Sequence, residues 1–417
     1  MSKEFFVIVR ASIALTQSPF SCNLAFMEQA EKTQAQAELL KNRIAKNSKA
    51  LRKWARKNLV AAYRLYDRDI PEIPLAIDLY EFLPEDIRSP EEAAAFMQEQ
   101  AAAESANIPG AAARRLERTF LKVFLYERPY EKPEEEERAW LCAMTDALAD
   151  CLQINRARIT TKTRLRDKGG SQYAKESANQ KARKDQNAGA PSWSDQNFSQ
   201  AHKAGGGPSL ACDNFCGRVY ENGAVFYVDL ATYLDTGLFL DMRAARALIK
   251  ANSQGKRVLN LFCYTSSFSV AAALGGAAAV LSVDLSNTYL DWSRKNAALN
   301  GLEGAALVWT KADVSAFLDS CKEKFDMIIL DPPTFSASKS AKENLDTNRD
   351  WPLLCQKCLR LLDKGGELYF STNSRSLKFD AALLPGALAQ EITEQTIDPD
   401  FKQKKSHRMW LLQNKNG

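Results

Sequence analysis

Two histidines, His202 and His407, are all the imidazole that 417 residues offer, and that scarcity closes off several chemistries. Hydrolytic triads need a positioned imidazole to take and return a proton. The nine cysteines are scattered and odd in number, which excludes a disulfide framework and suits a reducing compartment. Cys355-x2-Cys358 falls in an apolar helical pattern and Cys212-x3-Cys216 beside Gly-rich sequence, so no metal is expected at either pair. No apolar run reaches the roughly 18 uncharged residues of a membrane span. The opening MSKEFFVIVRASIALTQSPFSC is interrupted by Arg10 and has no clean cleavage site, so it is not read as a signal peptide. A cytoplasmic protein is expected. Charge is also short of one strong sign: 56 Lys and Arg against 51 Asp and Glu leave +5. That balance permits an RNA partner and equally suits an ordinary soluble protein.

Glycine is missing where a dinucleotide site would need it. Residues 257–262 (RVLNLF) are an apolar run ending on Cys263, Tyr264, Thr265, Ser266 and Ser267, followed by an Ala-rich stretch closed by Gly275-Gly276. This pattern predicts strand, tight turn and helix. A pyrophosphate cradle needs G-x-G-x-x-G so that backbone N–H groups can approach closely; the turn has no glycine, which disfavours a dinucleotide. A second apolar run, 279–283, delivers Asp284 about twenty residues beyond the turn, where nucleoside-binding folds place a carboxylate on ribose hydroxyls. A helix N-cap is the plainer role for the same residue. A third run, 325–330 (FDMIIL), delivers Asp331-Pro332-Pro333-Thr334-Phe335 beside the same crevice. Asp-Pro-Pro with an aromatic at a strand end points to methyl transfer; the alternative is a rigid turn carrying a core Phe.

Four stretches carry a resemblance: YLDTGLFLDMR (233–243), NLFCYTSSFSVAAALGGA (260–277), SVDLSNTYLDWSRKNAALNGL (282–302) and LDPPTFSASK (330–339). They resemble the S-adenosylmethionine-dependent 23S rRNA (guanine-N7) methyltransferases, which in many bacteria form the C-terminal half of a fused enzyme. The resemblance runs from about Met27 to the C-terminus apart from two insertions, and departs at Ser266, where glycine is usual. It implies S-adenosylmethionine as cofactor and 23S rRNA or a large-subunit precursor as partner. It also implies that Asn260, Phe262, Tyr264 and Thr265 line the methionine side, with Asp241 and Arg243 bracing it.

S-adenosylmethionine carries its own leaving group, so the protein has mainly to hold an acceptor in line with the S–CH3 bond. Asp284 is expected on the ribose hydroxyls. Asp313, after the third strand, is expected at the adenine amino group or the pocket edge, with an N-cap as its alternative. Asp331, Pro332, Pro333 and Phe335 are the candidate catalytic residues: the prolines fix the backbone with carbonyls toward the pocket, Phe335 stacks an extruded base, and Asp331 orients that base or steadies the sulfonium. Cysteine is absent from FSTNSR (370–375), where Asn373 stands. Enzymes that make 5-methylcytosine need a nucleophile there, because pyrimidine carbon 5 is inert until carbon 6 is attacked. Purine nitrogen targets gain accordingly. The motif also serves adenine N6 and guanine N2, and it is the resemblance that selects N7. Another RNA base methyltransferase, or an RNA-binding protein that keeps the pocket without turnover, stays open.

The expected architecture is α/β: a Rossmann-like seven-stranded domain over 217–417, its last strand (408–413) reversed, preceded by a small α+β domain over 27–166. That domain opens on a basic amphipathic helix, 29–58, which offers RNA phosphates a track or is merely a solvated face. Strands are expected at 61–67, 75–82, 120–127 and 157–164, with a helix at 135–152. The Ala- and Glu-rich stretch 90–118 reads as a helical insertion of no assigned role. Residues 1–26 are expected to be an extension. Residues 167–216 are expected to be a flexible polar insertion, with Tyr173, Lys175, Lys181, Arg183, Lys184 and Trp193 as possible contacts to single-stranded RNA. A hairpin turning at Asn222-Gly223 leads into the catalytic domain.

Overall fold

The computed structural model describes residues 19–164, 215–302, 304, 306–336, 344–402 and 405–415. Residues 1–18 of the expected extension and 165–214, which take in most of the polar insertion, lie outside them, while 19–26 belong to the first helix, which starts ahead of the expected 29. Helix α1 (Pro19–Lys57) leads into a four-stranded sheet of β1 (Ala62–Asp67), β2 (Leu75–Glu81), β3 (Thr119–Tyr126) and β4 (Ile159–Arg164) in that spatial order. The first two pairings are antiparallel and the last parallel. A parallel pair needs a crossover, and α4 (Glu134–Leu152) supplies it. Leu40 and Ile44 of α1, and Met144 and Leu148 of α4, bury one sheet face with Leu65, Ile77 and Val123. All seven residues of β2 are buried, so its other face is covered as well.

That second cover comes from the hairpin of β5 (Cys216–Glu221) and β6 (Ala224–Asp229), whose Val219 and Phe226 share a core with Tyr80 and Phe82. Asn222 and Gly223 both have positive φ, 52° and 81°, as a two-residue hairpin turn demands. The stretch 90–118 has a part here too. It forms α2 (Pro90–Ser105) and α3 (Ala111–Leu116), seating Ala93 and Met97 in the same core. Arg115 of α3 donates to Glu104 at 2.8 Å and to Glu81 of β2 at 2.9 Å.

The larger sheet is built from β7 (Arg257–Leu261), β8 (Ala279–Asp284), β9 (Leu307–Lys311), β10 (Phe325–Leu330), β13 (Leu362–Thr372), β14 (Ala387–Glu391) and β15 (Arg408–Asn414). Its order is β14-β15-β13-β10-β7-β8-β9. The strands from β13 to β9 run parallel, while β15 is antiparallel to both β13 and β14. This is the seven-stranded sheet with a reversed last strand that the sequence predicts. Chain direction across the sheet reverses between β7 and β10, and crevices for ligands open at the carboxyl ends of strands at such a switch point.

Candidate cofactor and acceptor site

The turn after β7 does its work without glycine. Phe262, Tyr264 and Ser266 alternate in left-handed conformation, with φ of 55°, 51° and 60°, each costing on the order of 1–3 kcal/mol for a non-glycine residue. Ser266 therefore keeps the backbone shape that glycine would give. Surrounding bonds hold the strain: the Cys263 amide donates to Val283 at 3.1 Å, and Asn296 of α7 (Asn287–Leu299) donates to the Thr265 carbonyl at 3.0 Å. The Ser266 hydroxyl donates to Ser293 at 2.7 Å, and the Thr265 hydroxyl to the Gly237 carbonyl at 2.6 Å. Gly237 has φ 92°, and a Cβ on it would stand 2.1 Å from the Trp292 ring. Its amide donates to the Tyr264 hydroxyl at 3.0 Å, so the DTGLF segment closes over the turn.

Asp284 ends β8 and accepts from the Tyr264 amide at 3.0 Å and the Ser286 amide at 2.9 Å. It is not the cap of α7, because Ser286 holds that position. Burial pushes its carboxyl above the ordinary range, against the pull of the Ser286, Tyr264 and Leu285 amides. A half-buried carboxylate with acceptor capacity left over, at the strand end beside that turn, fits a ribose diol. Asp313 does cap α8 (Val314–Ser320), accepting from the Ala316 amide at 3.0 Å.

On the other side of the switch point, the loop after β10 is tied to neighbouring elements. Ser371 of β13 donates to Asp331 at 2.6 Å, Thr334 donates to Asn373 at 2.5 Å, and Thr347 donates to the Pro333 carbonyl at 2.6 Å. The Thr334 carbonyl accepts from the Thr347 amide at 3.0 Å. The carbonyls of Pro333 and Thr334 are thus spent on α9 (Thr347–Leu361), so of the two proline carbonyls expected at the pocket that of Pro333 is turned away. Burial raises the Asp331 carboxyl, and the Ser371 hydroxyl opposes that rise. Phe335 is half-buried and pairs in a two-residue ladder, β11 (Phe335–Ser336) with β12 (Leu345–Asp346).

The remaining expected residues separate by place. Asn260 is 1% and Thr265 0% exposed; Asn260 donates inward to Ser269 at 2.8 Å, so both hold the turn from beneath, and Phe262 is the partly exposed one. Arg243 belongs to another cluster. Its guanidinium donates to Asp398 at 2.9 Å, to Asp400 at 3.2 Å and to the Ala62 carbonyl at 2.7 Å, and lies 5.2 Å over the Trp54 ring. It braces the joint between the two sheets, a role that spacing alone does not reveal because its partners lie up to 181 residues away. Asp241 stands 3.8 Å from His407. Burial would raise its carboxyl, but His407 beside it, with Arg64 and Ser406, brings it down to about 2. Ser371, Thr347 and Asn373 as loop anchors escaped the sequence reading; their only signal was position at or near a strand or helix end beside Asp-Pro-Pro.

Residues 173–402 match the family described as S-adenosylmethionine-dependent methyltransferase. The chain is 36% identical to the Ribosomal RNA large subunit methyltransferase K of Neisseria meningitidis serogroup B, covering 90% of this chain and 87% of that one. It is 38% identical to the Ribosomal RNA large subunit methyltransferase K/L of Cellvibrio japonicus over 93% of its own length, yet spans 44% of that protein. The chain thus covers less than half of such longer relatives. Its fold is similar to that of SMU.776, solved by crystallography as a complex with SAH, at a TM-score of 0.57 and 19% identity over 90% of this chain and 81% of the other.

Proposed function

This chain belongs to the S-adenosylmethionine-dependent methyltransferase family, and from that premise we propose that it methylates N7 of a guanine in large-subunit rRNA. The observation that carries the reading is the shared opening at the switch point. Because β7, β8 and β10 are parallel neighbours, the 262–266 turn, Asp284 and the Asp331–Phe335 loop all stand at one edge of the sheet. A relative of nearly matching length that is named for large-subunit rRNA supports the substrate, and the place of action is then the cytoplasm, on rRNA or a precursor particle.

S-adenosylmethionine, when bound, supplies an electrophilic methyl on a sulfonium. Asp284 receives the ribose hydroxyls, and Asp313 stands at the adenine edge. Turn residues 262–265 hold the methionine end through their backbone, with Asn260 and Thr265 fixing that backbone from below. Asp331 and Pro332 form the floor under the acceptor base, and Phe335 offers its ring for stacking. Guanine N7 has a free lone pair and no proton, so no general base is required and Asp331 acts by orientation. The Asp284→Ala variant is expected to bind the cofactor about 1–3 kcal/mol more weakly, having lost charge-assisted hydrogen bonds. Calorimetry with unchanged affinity would remove Asp284 from the site.

The N-terminal helix supports an RNA track. Lys46, Lys49, Lys53 and Lys57 recur at steps of three and four residues and are all exposed, which puts them on one face of α1. The end of that helix meets the catalytic half where Arg243 covers Trp54. Changing the four lysines to glutamate is expected to weaken rRNA binding and flatten its salt dependence by about one unit of slope per lost phosphate contact, with cofactor affinity unmoved. An unaltered slope would make the stripe a solvated face.

The reading is tested by methylating large-subunit rRNA with labelled cofactor and treating the product with borohydride and aniline. N7-methylguanine carries a fixed positive charge that labilises its glycosidic bond, so cleavage at one guanine is expected. A labelled product that resists cleavage would point to N2, N6 or C5 and overturn N7.

A further inference from the structure

Asn373 sits one residue beyond β13, exposed, with its Oδ1 accepting the Thr334 hydroxyl at 2.5 Å. Its Nδ2 meets no acceptor among the described residues. Both ends of this bond are anchored. Thr334 belongs to the acceptor loop, which Thr347 grips twice. The strand end is pinned where Ser374 donates to Asn348 at 2.6 Å and to the neighbouring Thr372 hydroxyl, through its amide, at 3.1 Å.

An asparagine with both amide atoms free reads adenine, accepting from N6 and donating to N7. Here the oxygen is engaged by Thr334, so the group that remains is a donor. Guanine shows two acceptors on that edge, N7 and O6, whereas adenine shows N7 and an amino group. N7 must keep its lone pair for the methyl carbon: that pair forms the N–C bond while the S–C pair departs to sulfur, leaving the charge on the purine and moving no proton. The acceptor open to Asn373 is then O6.

We propose that Asn373, oriented by Thr334, is the specificity-determining residue of the acceptor site, donating from Nδ2 to O6 of the target guanine. This rests on the guanine-N7 reading. An adenine in the same place would set its amino group against the amide N–H groups and be refused.

The test uses large-subunit rRNA rejoined by splinted ligation, with the guanine mapped for the wild type either kept or replaced by 2-aminopurine, which retains N7 and lacks O6. Wild-type transfer to guanine is expected to exceed transfer to 2-aminopurine by roughly 10- to 100-fold. The Asn373→Ala variant should lose most of that ratio by slowing on guanine alone, and intrinsic N7 reactivity cancels when ratios are compared. Asn373→Asp, which keeps the shape and the Thr334 bond but has no donor, should lose the ratio as well, and Thr334→Val should reduce it in part. Cofactor affinity should hold in all three. Equal slowing on both bases, or an undiminished ratio, would overturn the role of Asn373. Absence of N7 methylation by the wild type would instead overturn the reading on which it rests.

Discussion

Replacing Arg243 with alanine is expected to cost about 3–5 kcal/mol of stability, the range for removing one member of a buried ion-pair network. The arginine side chain is 3% exposed, and Asp400, its bidentate partner, is 0% exposed. Glu221 stands 3.7 Å from its Nε, already doubly bonded by Arg246. Without the guanidinium, Asp400 keeps, among the described residues, only the Arg64 amide, at 3.1 Å. Burial already holds the Asp400 carboxyl above its usual range with Arg243 opposing, so the substitution lifts it further. A group whose folded pKa is raised contributes stability that is present below its unfolded pKa and lost as pH rises through the folded one. The variant's deficit should therefore grow as pH rises from the ordinary carboxylate range, about 4, to 7.5 in denaturant titrations. Combining Arg243→Met with Asp400→Leu should recover part of the loss, because the fully buried carboxylate is then removed with its partner and Asp398 keeps contact with water. Where the single variant is folded, its cofactor affinity should fall less than that of Asp284→Ala. A larger fall would return Arg243 to the cofactor site.

The legible part of the fold follows from local physics. Periodicity marked the apolar strands at 257–261 and 325–330, and Asn222-Gly223 fixed a hairpin by turn chemistry alone. Arg243 and the stretch 90–118 were not legible in the same way. Their parts depend on partners far along the chain: Arg243 on Asp400 and Ala62, and Arg115 on Glu81 and Glu104. No periodicity encodes such pairings.

At the site the divide is similar. The strand-end positions of Asp284 and Asp331 were legible because a strand pattern followed by a carboxylate is a local signal. The left-handed backbone at Phe262, Tyr264 and Ser266 was not, since residues with side chains conceal conformations that glycine would advertise. Asn260 and Thr265 were expected to line the pocket, and their complete burial beneath the turn reflects hydrogen bonds to Ser269 and Gly237. Asp313 takes the N-cap role that its position before a helix pattern had offered as the alternative, its carboxylate accepting the Ala316 amide.

Phe335→Ala separates acceptor binding from cofactor binding. Stacking of a base on an aromatic ring is worth about 1–3 kcal/mol, and an extruded guanine has exchanged its neighbours in the helix for whatever the pocket offers. Losing the ring should lower transfer to rRNA by roughly 5- to 150-fold by that magnitude, while cofactor affinity hardly moves, because Phe335 stands beyond Asp331 on the loop, whereas Asp284 and 262–266, the residues proposed for the cofactor, lie on β8 and after β7. The loop itself should survive, since its ties run through Ser371, Asn373 and Thr347 and none uses the Phe335 side chain. Phe335→Tyr should restore most of the transfer by returning a ring. Single-turnover transfer at saturating cofactor, set beside calorimetric cofactor affinity, makes the comparison. If the alanine variant instead lost cofactor binding and kept its transfer rate at saturation, the ring would belong to the cofactor side, and the acceptor base would have to be placed elsewhere along the strand ends.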